Sequence, residues 1–289
     1  MAASIGLSRY GLRVRKRVRK IVSGNGNAAS TGNAGLHAPK ALVEPTGKRP
    51  FPSDDTIPVP PVFWQNKVGR GSSFNDVALT TVGRLNMAGL RPDNDVLDIG
   101  CGVGRIARFL CDYLDDGGSY EGFEITEKMV IWCQDNITPL FPNFSFTFTP
   151  LFHPSYSPDP SLPSAAEFRF PYADASFDFA FAQSVFTHTL PEVTTNYLNE
   201  MSRVLRPGGI SFTTWILLDD DPPAYRRRRL EGMVRDVSGT FAIRDTAVIG
   251  YEELFVRETH SSSGLTIVEP LHMGCRGLQD AFVAVKSSD

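Results

Sequence analysis

The chain has 289 residues, and 42% of them are hydrophobic, which is ordinary for a globular protein and sufficient for a large core. The formal net charge of −3 is unevenly distributed: residues 1–50 hold ten Lys and Arg against one acid, a net +9, so the remainder carries −12. An acidic body excludes a general nucleic-acid-binding protein, because contacts with phosphates require a basic surface.

The cysteines predict neither disulfides nor a metal site. Cys101, Cys111, Cys133 and Cys275 form no CxxC pair and show no metal-ligand spacing with the five histidines. We therefore expect small buried hydrophobic residues in a reducing compartment. The sequence also lacks an apolar run of the ~20 residues that a membrane span requires. It lacks an apolar segment of signal-peptide type as well, which favours a cytoplasmic protein.

The first 50 residues are predicted to form a basic tail that precedes one domain over residues 51–289. Apolar residues recur at roughly helical spacing over residues 7–22, a pattern typical of a helix on an anionic membrane surface. The absence of acids before Glu44 is equally typical of an organelle-targeting peptide. A solvated, disordered tail is the third interpretation, and the sequence leaves all three open.

After Pro50 the apolar periodicity predicts helices that alternate with strands, following an extended, proline-rich entry. Helices are expected over residues 74–85, 106–113, 127–136, 193–205, 226–234 and 252–259. Strands are expected over residues 95–99, 120–125, 144–148, 177–183, 210–217, 266–269 and 281–285. A proline-rich loop occupies residues 149–164. This alternation indicates a parallel sheet that is covered on both faces and binds ligands beyond the carboxyl ends of its strands.

The first predicted strand ends in a glycine-rich turn, Asp98-Ile-Gly-Cys-Gly-Val-Gly104. Glycines at alternate positions let the backbone turn tightly and approach a ligand closely. Asp98 would repel a pyrophosphate lying on this turn, and it would attract a ligand that carries an ammonium and a sulfonium. Glu124, at the end of the second strand, is suited to accept hydrogen bonds from two ribose hydroxyls.

These and later motifs resemble those of class I S-adenosylmethionine-dependent methyltransferases. The matching segments are VLDIGCGVG, YEGFEIT, FPYADASFD, QSVFTH and EMSRVLRPGG, in that order. They cover roughly residues 60–217, and the last two predicted strands suit the same fold. The resemblance implies a Rossmann-like, seven-stranded, mostly parallel sheet with helices on both faces, and S-adenosyl-L-methionine as the cofactor.

The resemblance also implies roles for individual residues. The methionine part of the cofactor would face Asp98 and the turn residues Gly100, Cys101, Gly102 and Gly104. Glu124 would hold the ribose, and Ile125 would pack on the adenine. Gln183 and Ser184 would line the opening through which the methyl group passes.

One departure concerns the adenine. Many relatives carry an acid five residues before the proline of the FPYADASFD segment, and here that position is Ala166. Either Glu167 or backbone groups near Phe168 would then bind the adenine amino group.

His188 is the candidate catalytic residue. It follows Gln183 and Ser184 beside the expected opening, and a histidine with an ordinary pKa suits a general base near neutral pH. The competing interpretation is a histidine that fixes the local backbone. We expect transfer to a small-molecule or glycan acceptor, with oxygen preferred as the nucleophile. Arg226–Arg229, after the fifth strand, suits either a solvated helix face or an anionic acceptor.

Two other functions remain open. A nicotinamide-dependent Rossmann oxidoreductase would explain the glycines and Glu124 but would leave Asp98 unexplained. A non-catalytic S-adenosylmethionine-binding module, tethered by its basic tail, would keep the cofactor motifs without turnover.

The sequence leaves the oligomeric state undetermined. Two further hypotheses are that Phe152, His153 and Tyr156 form a partial lid at the adenine end, and that Asp178 and Arg203 orient the backbone.

Overall fold

The computed structural model describes residues 57–69, 74–218, 230–244, 248–268 and 279–288. The predicted tail over residues 1–50 and the run Arg226–Arg229 lie outside these ranges. Within them, no helix is long and apolar enough to cross a membrane. The same ranges contain no group of three or more His, Cys, Asp or Glu residues arranged to hold a metal ion.

Helices and strands alternate through most of the chain. The helices are α1 Val62–Lys67, α2 Phe74–Ala88, α3 Ala107–Leu110, α4 Glu127–Asn136, α5 Pro191–Val204 and α6 Glu253–Ser262, with a 3₁₀ turn at Ala165–Glu167. The strands are β1 Asp95–Ile99, β2 Ser119–Glu124, β3 Phe144–Phe148, β4 Phe177–Ala182, β5 Leu205–Trp215, β6 Val234–Arg235, β7 Phe241–Arg244, β8 Val248–Tyr251, β9 Leu265–Ile267 and β10 Asp280–Lys286.

Seven strands form one sheet in the order β3-β2-β1-β4-β5-β10-β9. All the pairings from β3 to β5 are parallel, and β10 lies antiparallel between β5 and β9. This arrangement confirms the predicted seven-stranded, mostly parallel sheet. The strand order reverses between β1 and β4, and ligands of such sheets bind at that position, beyond the carboxyl ends of the strands.

The core lies on both faces of this sheet. Alternate residues of β1 point to opposite faces, so that Val96 packs with residues of α2, α3 and α4, whereas Leu97 packs with residues of α5 and α6. Both side chains are completely buried. A strand covered on both faces reads as a continuous apolar run, which is why 95–99 could be identified from the sequence.

Several elements differ from the predictions. Residues 62–67 form α1, which begins directly after Pro61, where an extended entry was expected; proline before or at the first turn is compatible with a helix. The helix predicted over 106–113 is reduced to α3, flanked by turns. Strand β5 starts at Leu205, and its pairing with β4 shifts register near Gly208, whose φ is +77°.

The largest difference is a second, three-stranded antiparallel sheet, β6-β7-β8. The helix predicted over 226–234 is wrong at its end, because Val234 and Arg235 belong to β6, and its start lies outside the described residues. These strands have two to four residues each, which is too short for a periodicity to emerge.

Candidate functional site

The predicted site residues follow three neighbouring strands. In the sheet β1 lies between β2 and β4, so the carboxyl ends of these strands meet at one edge. Asp98 and the glycine turn end β1, Glu124 ends β2, and Gln183 follows β4 directly. The fold therefore brings together residues that are up to 85 positions apart in the sequence.

The glycine turn depends on its glycines for both conformation and space. Gly100, Gly102 and Gly104 have φ values of +71°, +57° and +69°, a region that side chains disfavour. A Cβ on Gly100 would lie 2.9 Å from Cγ2 of Val185, and one on Gly102 would lie 2.9 Å from Cγ1 of Val68. The turn is thus enclosed by the segment after β4 on one side and by the end of α1 on another.

Backbone hydrogen bonds fix the turn against the end of β2. The amides of Gly100 and Cys101 both donate to the carbonyl of Phe123, at 2.9 and 3.1 Å. The Cys101 side chain is buried, and a Cβ on Gly122 would lie 2.9 Å from Cβ of Cys101. Gly122 therefore permits the close approach of the turn to β2.

Asp98 is a buried carboxyl with one close side-chain partner. Its side chain is 2% exposed, and the hydroxyl of Tyr120 donates to its Oδ2 at 2.6 Å. The net pKa of Asp98 is raised to about 7, chiefly by burial and to a smaller extent by the negative charge of Glu124. The bond from Tyr120 and the positive charge of Arg105 act in the opposite direction.

Glu124 is held by backbone amides of the two segments that flank it. Its Oε2 accepts from the amide of Gly102 at 3.1 Å, and its Oε1 accepts from the amide of Thr126 at 2.9 Å. Burial raises the pKa of Glu124, and these hydrogen bonds oppose that shift. A carboxylate oxygen has two lone pairs, so each oxygen can accept one further hydrogen bond.

The predicted adenine residues lie in two places. Ile125 is half-buried directly after β2, and Glu167 is exposed at the end of the 3₁₀ turn. The ring of Phe168 packs against Phe123, with 5.8 Å between ring centroids, and its carbonyl accepts from Asn196 at 2.9 Å. The backbone at Phe168 is therefore already anchored to α5, whereas the Glu167 carboxylate faces solvent.

Gln183 and Ser184 belong to a polar cluster that also includes Thr214 and Gln279. Ser184 has a φ of +62°, and its amide donates to Oγ1 of Thr214 at 2.7 Å. Its hydroxyl donates to Oε1 of Gln279 at 3.1 Å and accepts from Nε2 of the same residue at 3.0 Å. The buried Oε1 of Gln183 has no hydrogen-bond partner among the described residues. Sequence reasoning missed Gln279, because the antiparallel insertion of β10 brings it to Ser184 from 95 residues away.

His188 lies on turns after β4 and contacts the proline-rich loop over 149–164. Its amide donates to the carbonyl of Val185 at 2.9 Å. The hydroxyl of Tyr156 is 3.5 Å from its Nε2, and the two rings meet edge to face with centroids 5.4 Å apart. Two of the three proposed lid residues, Tyr156 and His153, therefore lie against the His188 segment.

His153 fixes the loop through both of its ring nitrogens. Nδ1 accepts from the amides of Ser155 and Tyr156 at 3.1 and 3.3 Å, so we assign the proton to Nε2. Nε2 then donates to the carbonyl of His188 at 2.9 Å. Burial lowers the pKa of His153, opposed by this last bond, which favours the neutral ring.

The second sheet holds the other side of the same segment. The amide of Ile249 in β8 donates to the carbonyl of Thr187 at 2.9 Å. The buried hydroxyl of Tyr251 donates to the carbonyl of Thr189 and lies 3.1 Å from Oγ1 of Thr194. His188 is therefore bracketed by β8 and by the proline-rich loop.

Asp178 and Arg203 orient the backbone, as predicted. Asp178 accepts from the amide of Asp95 at 2.9 Å and pairs with Arg206 at 2.9 Å. Arg203 pairs with Glu200 at 2.6 Å and donates to the carbonyls of Phe170 and Tyr172. The Asp178 contacts join β4 to β1 and β5, and the Arg203 contacts tie the loop before β4 to α5.

Comparisons with known proteins bear on the family and the fold. A family model described as "Methyltransferase domain" matches residues 97–213, which run from β1 into β5. A protein from Pyrococcus horikoshii OT3 is 18% identical, with a TM-score of 0.55 over 75% of this chain and 93% of that chain.

Two further solved structures share the fold. Magnesium protoporphyrin IX methyltransferase from Synechocystis PCC 6803 is 19% identical, with a TM-score of 0.51 over 80% of this chain and 89% of that chain. DesVI from Streptomyces venezuelae is 16% identical, with a TM-score of 0.51 over 78% of this chain and 97% of that chain. The match over residues 97–213 identifies a methyltransferase domain in this chain, with the fold of the S-adenosylmethionine-dependent methyltransferases, whose methyl donor is S-adenosylmethionine.

Proposed function

We propose that this protein transfers a methyl group from S-adenosylmethionine to a small-molecule or glycan acceptor, with an oxygen as nucleophile. The observation that carries the proposal is that two carboxyl groups, Asp98 and Glu124, lie at the same glycine turn. The neighbours of this turn leave no space for a side chain at its glycine positions. A carboxylate inside such a turn suits a cation and disfavours a pyrophosphate, which argues against a nicotinamide cofactor.

The side chains at the turn fit the cofactor part by part. Asp98, with the backbone from Gly100 to Gly104, would hold the methionine end, because a buried carboxyl gains most from a cation. The Oε1 of Gln183, which has no hydrogen-bond partner among the described residues, would accept an N–H bond there. Glu124 would accept from the two ribose hydroxyls with its remaining lone pairs.

For the adenine we propose apolar contact with Ile125 and Phe168, and a hydrogen bond from the amino group to Glu167. The exposed Glu167 carboxylate supports this choice over the backbone of Phe168, whose carbonyl is already hydrogen-bonded to Asn196. Cys101 would line the pocket as a small buried side chain, since burial raises its pKa and keeps the thiol protonated.

When bound, S-adenosylmethionine supplies an electrophilic methyl carbon on a sulfonium. The protein's own contribution is to position the acceptor oxygen and to remove its proton. His188 is the proposed base: its imidazole would take the hydroxyl proton as the oxygen–carbon bond forms and the carbon–sulfur bond breaks with a neutral thioether leaving, and it would then release that proton to solvent. Tyr156 and β8 hold the His188 segment in place during this step.

Calorimetric titration with S-adenosylhomocysteine, NAD and NADP tests the cofactor class. We expect S-adenosylhomocysteine alone to bind, and Asp98→Ala and Glu124→Ala to weaken it at least tenfold each, because each removes a charge-assisted hydrogen bond. Glu127→Gln is the matched control, since Glu127 is an exposed acid at the start of α4, three residues after Glu124. Wild-type affinity in both site variants would refute the assignment.

Turnover separates an enzyme from a non-catalytic binding module. Incubating the protein and a methyl-labelled donor with fractionated extracts should label a small molecule or glycan. Release of the label as methanol in base then identifies a methyl ester, and mass spectrometry of the product distinguishes a methyl ether from an N-methyl amine. Cofactor binding without label in any fraction would favour the non-catalytic module.

A further inference from the structure

The Tyr120–Asp98 pair is a feature that the motifs do not reveal. Tyr120 stands opposite Val96 in the β1–β2 register, two positions before the pairing of Gly122 with Asp98. Its ring is completely buried and stacks on Phe144, with centroids 4.9 Å apart and planes at 14°. The ring is therefore fixed, and its hydroxyl has one direction in which to donate.

The charges around Asp98 do not balance a buried carboxylate. Among the described residues, the titratable and charged groups that interact with Asp98 are Tyr120 and Glu124 of β2, Arg105 and Cys101 of the glycine turn segment, Cys133 of α4, and Tyr172 of the loop before β4. Among them only Arg105 is positive, and its effect on the pKa of Asp98 is smaller than that of burial. We therefore expect Asp98 to be partly protonated near pH 7 when no cation lies beside it, because its pKa is raised to about 7.

We propose that Tyr120 is a positioning residue of the cofactor site, and that binding of the cofactor's ammonium group expels the proton that Asp98 holds. The inference rests on the proposed placement of the ammonium at Asp98. The carboxylic acid loses its proton to solvent, and the resulting carboxylate accepts hydrogen bonds from both the ammonium and the Tyr120 hydroxyl. No bond to carbon changes, and the proton released appears in the buffer.

The geometry explains why a tyrosine stands here. An ionised carboxyl in this buried position needs a donor that remains after the ligand arrives, and a phenol whose own pKa is raised far above its usual range stays a donor throughout. The bond from Tyr120 also lowers the pKa of Asp98, so it moves the pH at which the site is ready for a cation closer to neutrality.

The test is calorimetric titration with S-adenosylhomocysteine in buffers of different ionisation enthalpy, which counts the protons released per ligand bound. For the wild type we expect about half a proton at pH 7, nearly one at pH 6 and almost none at pH 8.5. The affinity should rise roughly tenfold from pH 6 to pH 8, because the carboxylate form increases by that factor.

Tyr120→Phe keeps the stacked ring and removes only the hydroxyl. We expect weaker binding at pH 7, on the order of tenfold, together with a larger proton release that persists to higher pH, because the pKa of Asp98 rises. Tyr113→Phe is the control, since its hydroxyl donates to the carbonyl of Leu90 at 2.6 Å, away from the turn. Asp98→Asn should abolish the release wherever binding is still measurable.

Each outcome has one meaning. If the wild type releases no protons on binding, and its affinity does not change between pH 6 and pH 8, the proposed coupling is overturned. A Tyr120→Phe profile that matches the wild type overturns the role of Tyr120 while the coupling stands. Absence of S-adenosylhomocysteine binding at every pH refutes the proposed function itself, and this inference with it.

Discussion

At the scale of single residues, the site depends on groups whose chemistry is altered by burial. Asp98 has a pKa of about 7 in the folded chain against 3.8 for the exposed group, so the folded state keeps a proton that the unfolded state releases. The contribution of Asp98 to stability is therefore intact below about pH 4 and is lost as the pH rises toward 7. Above that pH the buried Asp98 carboxylate destabilises the folded protein, and a bound cation would offset this cost.

The loss of stability with rising pH that Asp98 causes can be measured with a variant. Asp98→Asn should be more stable than the wild type at pH 8 by up to about 4 kcal/mol, and nearly equal to it at pH 4. Urea unfolding at both pH values gives the difference. Comparing the two proteins at each pH cancels His260, a buried group whose pKa is lowered to about 4 by burial and which acts in the opposite direction. A pH-independent difference would contradict the prediction.

The catalytic role of His188 predicts a split between turnover and binding. General-base assistance is typically worth ~10²–10⁴-fold, so His188→Ala should lower turnover at least 100-fold while S-adenosylhomocysteine affinity stays within about twofold. The pH–rate profile should lose its rise through the histidine pKa. His188→Ala that loses stability and cofactor affinity together would instead identify a structural histidine.

At the scale of elements, the His188 segment is supported from two sides, and the supports can be removed separately. Tyr251→Phe removes the hydroxyl that bonds to Thr189 and Thr194 and leaves buried partners unsatisfied. We expect a loss of about 1–3 kcal/mol in the free energy of unfolding and a fall in turnover. Cofactor affinity should change little, because these contacts lie beyond Gln183. Thermal melts measure the loss of stability, and single-turnover rates measure the fall in turnover.

The proline-rich loop supports the other side. Its ends are closed by the bond from the Phe152 amide to the Pro163 carbonyl at 2.9 Å, so residues 153–162 can be replaced by a short Gly-Ser linker with little strain on the rest. We expect turnover to fall more than cofactor affinity does, because His153 and Tyr156 contact His188. Loss of cofactor affinity with unchanged turnover would instead support the predicted partial lid at the adenine end.

At the scale of the whole molecule, the sequence predicted what is encoded locally. Strand β1 and the glycine turn were identifiable because a buried apolar run is followed by glycines that no other residue could replace. Tyr120 and Gln279 were not, since their partners Asp98 and Ser184 lie 22 and 95 positions away. The strands β6–β8 were not predicted, because strands of two to four residues are too short to show a hydrophobic periodicity. Long-range pairing, rather than local preference, completes the site.

The tail prediction is also a statement about the whole chain. Ile57 is 2% exposed, and its carbonyl accepts from Arg108 at 3.1 Å, so the domain includes residue 57. A chain starting at residue 51 should melt within a few degrees of the full chain and bind S-adenosylhomocysteine equally. One starting at residue 60 should be less stable. Flotation of both lengths with anionic liposomes, at low and high salt, tests the membrane contact proposed for residues 7–22.

The antiparallel insertion of β10 has a consequence for the order of assembly. Because β10 lies between β5 and β9, both neighbours expose an unpaired edge until residues 280–286 are in place. During synthesis the β3-β2-β1-β4-β5 half can pair as it emerges, whereas β9 must wait for a strand that follows it in the chain. A nascent or truncated chain lacking β10 is therefore open to edge-to-edge association with another copy, and it has the cofactor turn but not the strand that places Gln279 beside Ser184.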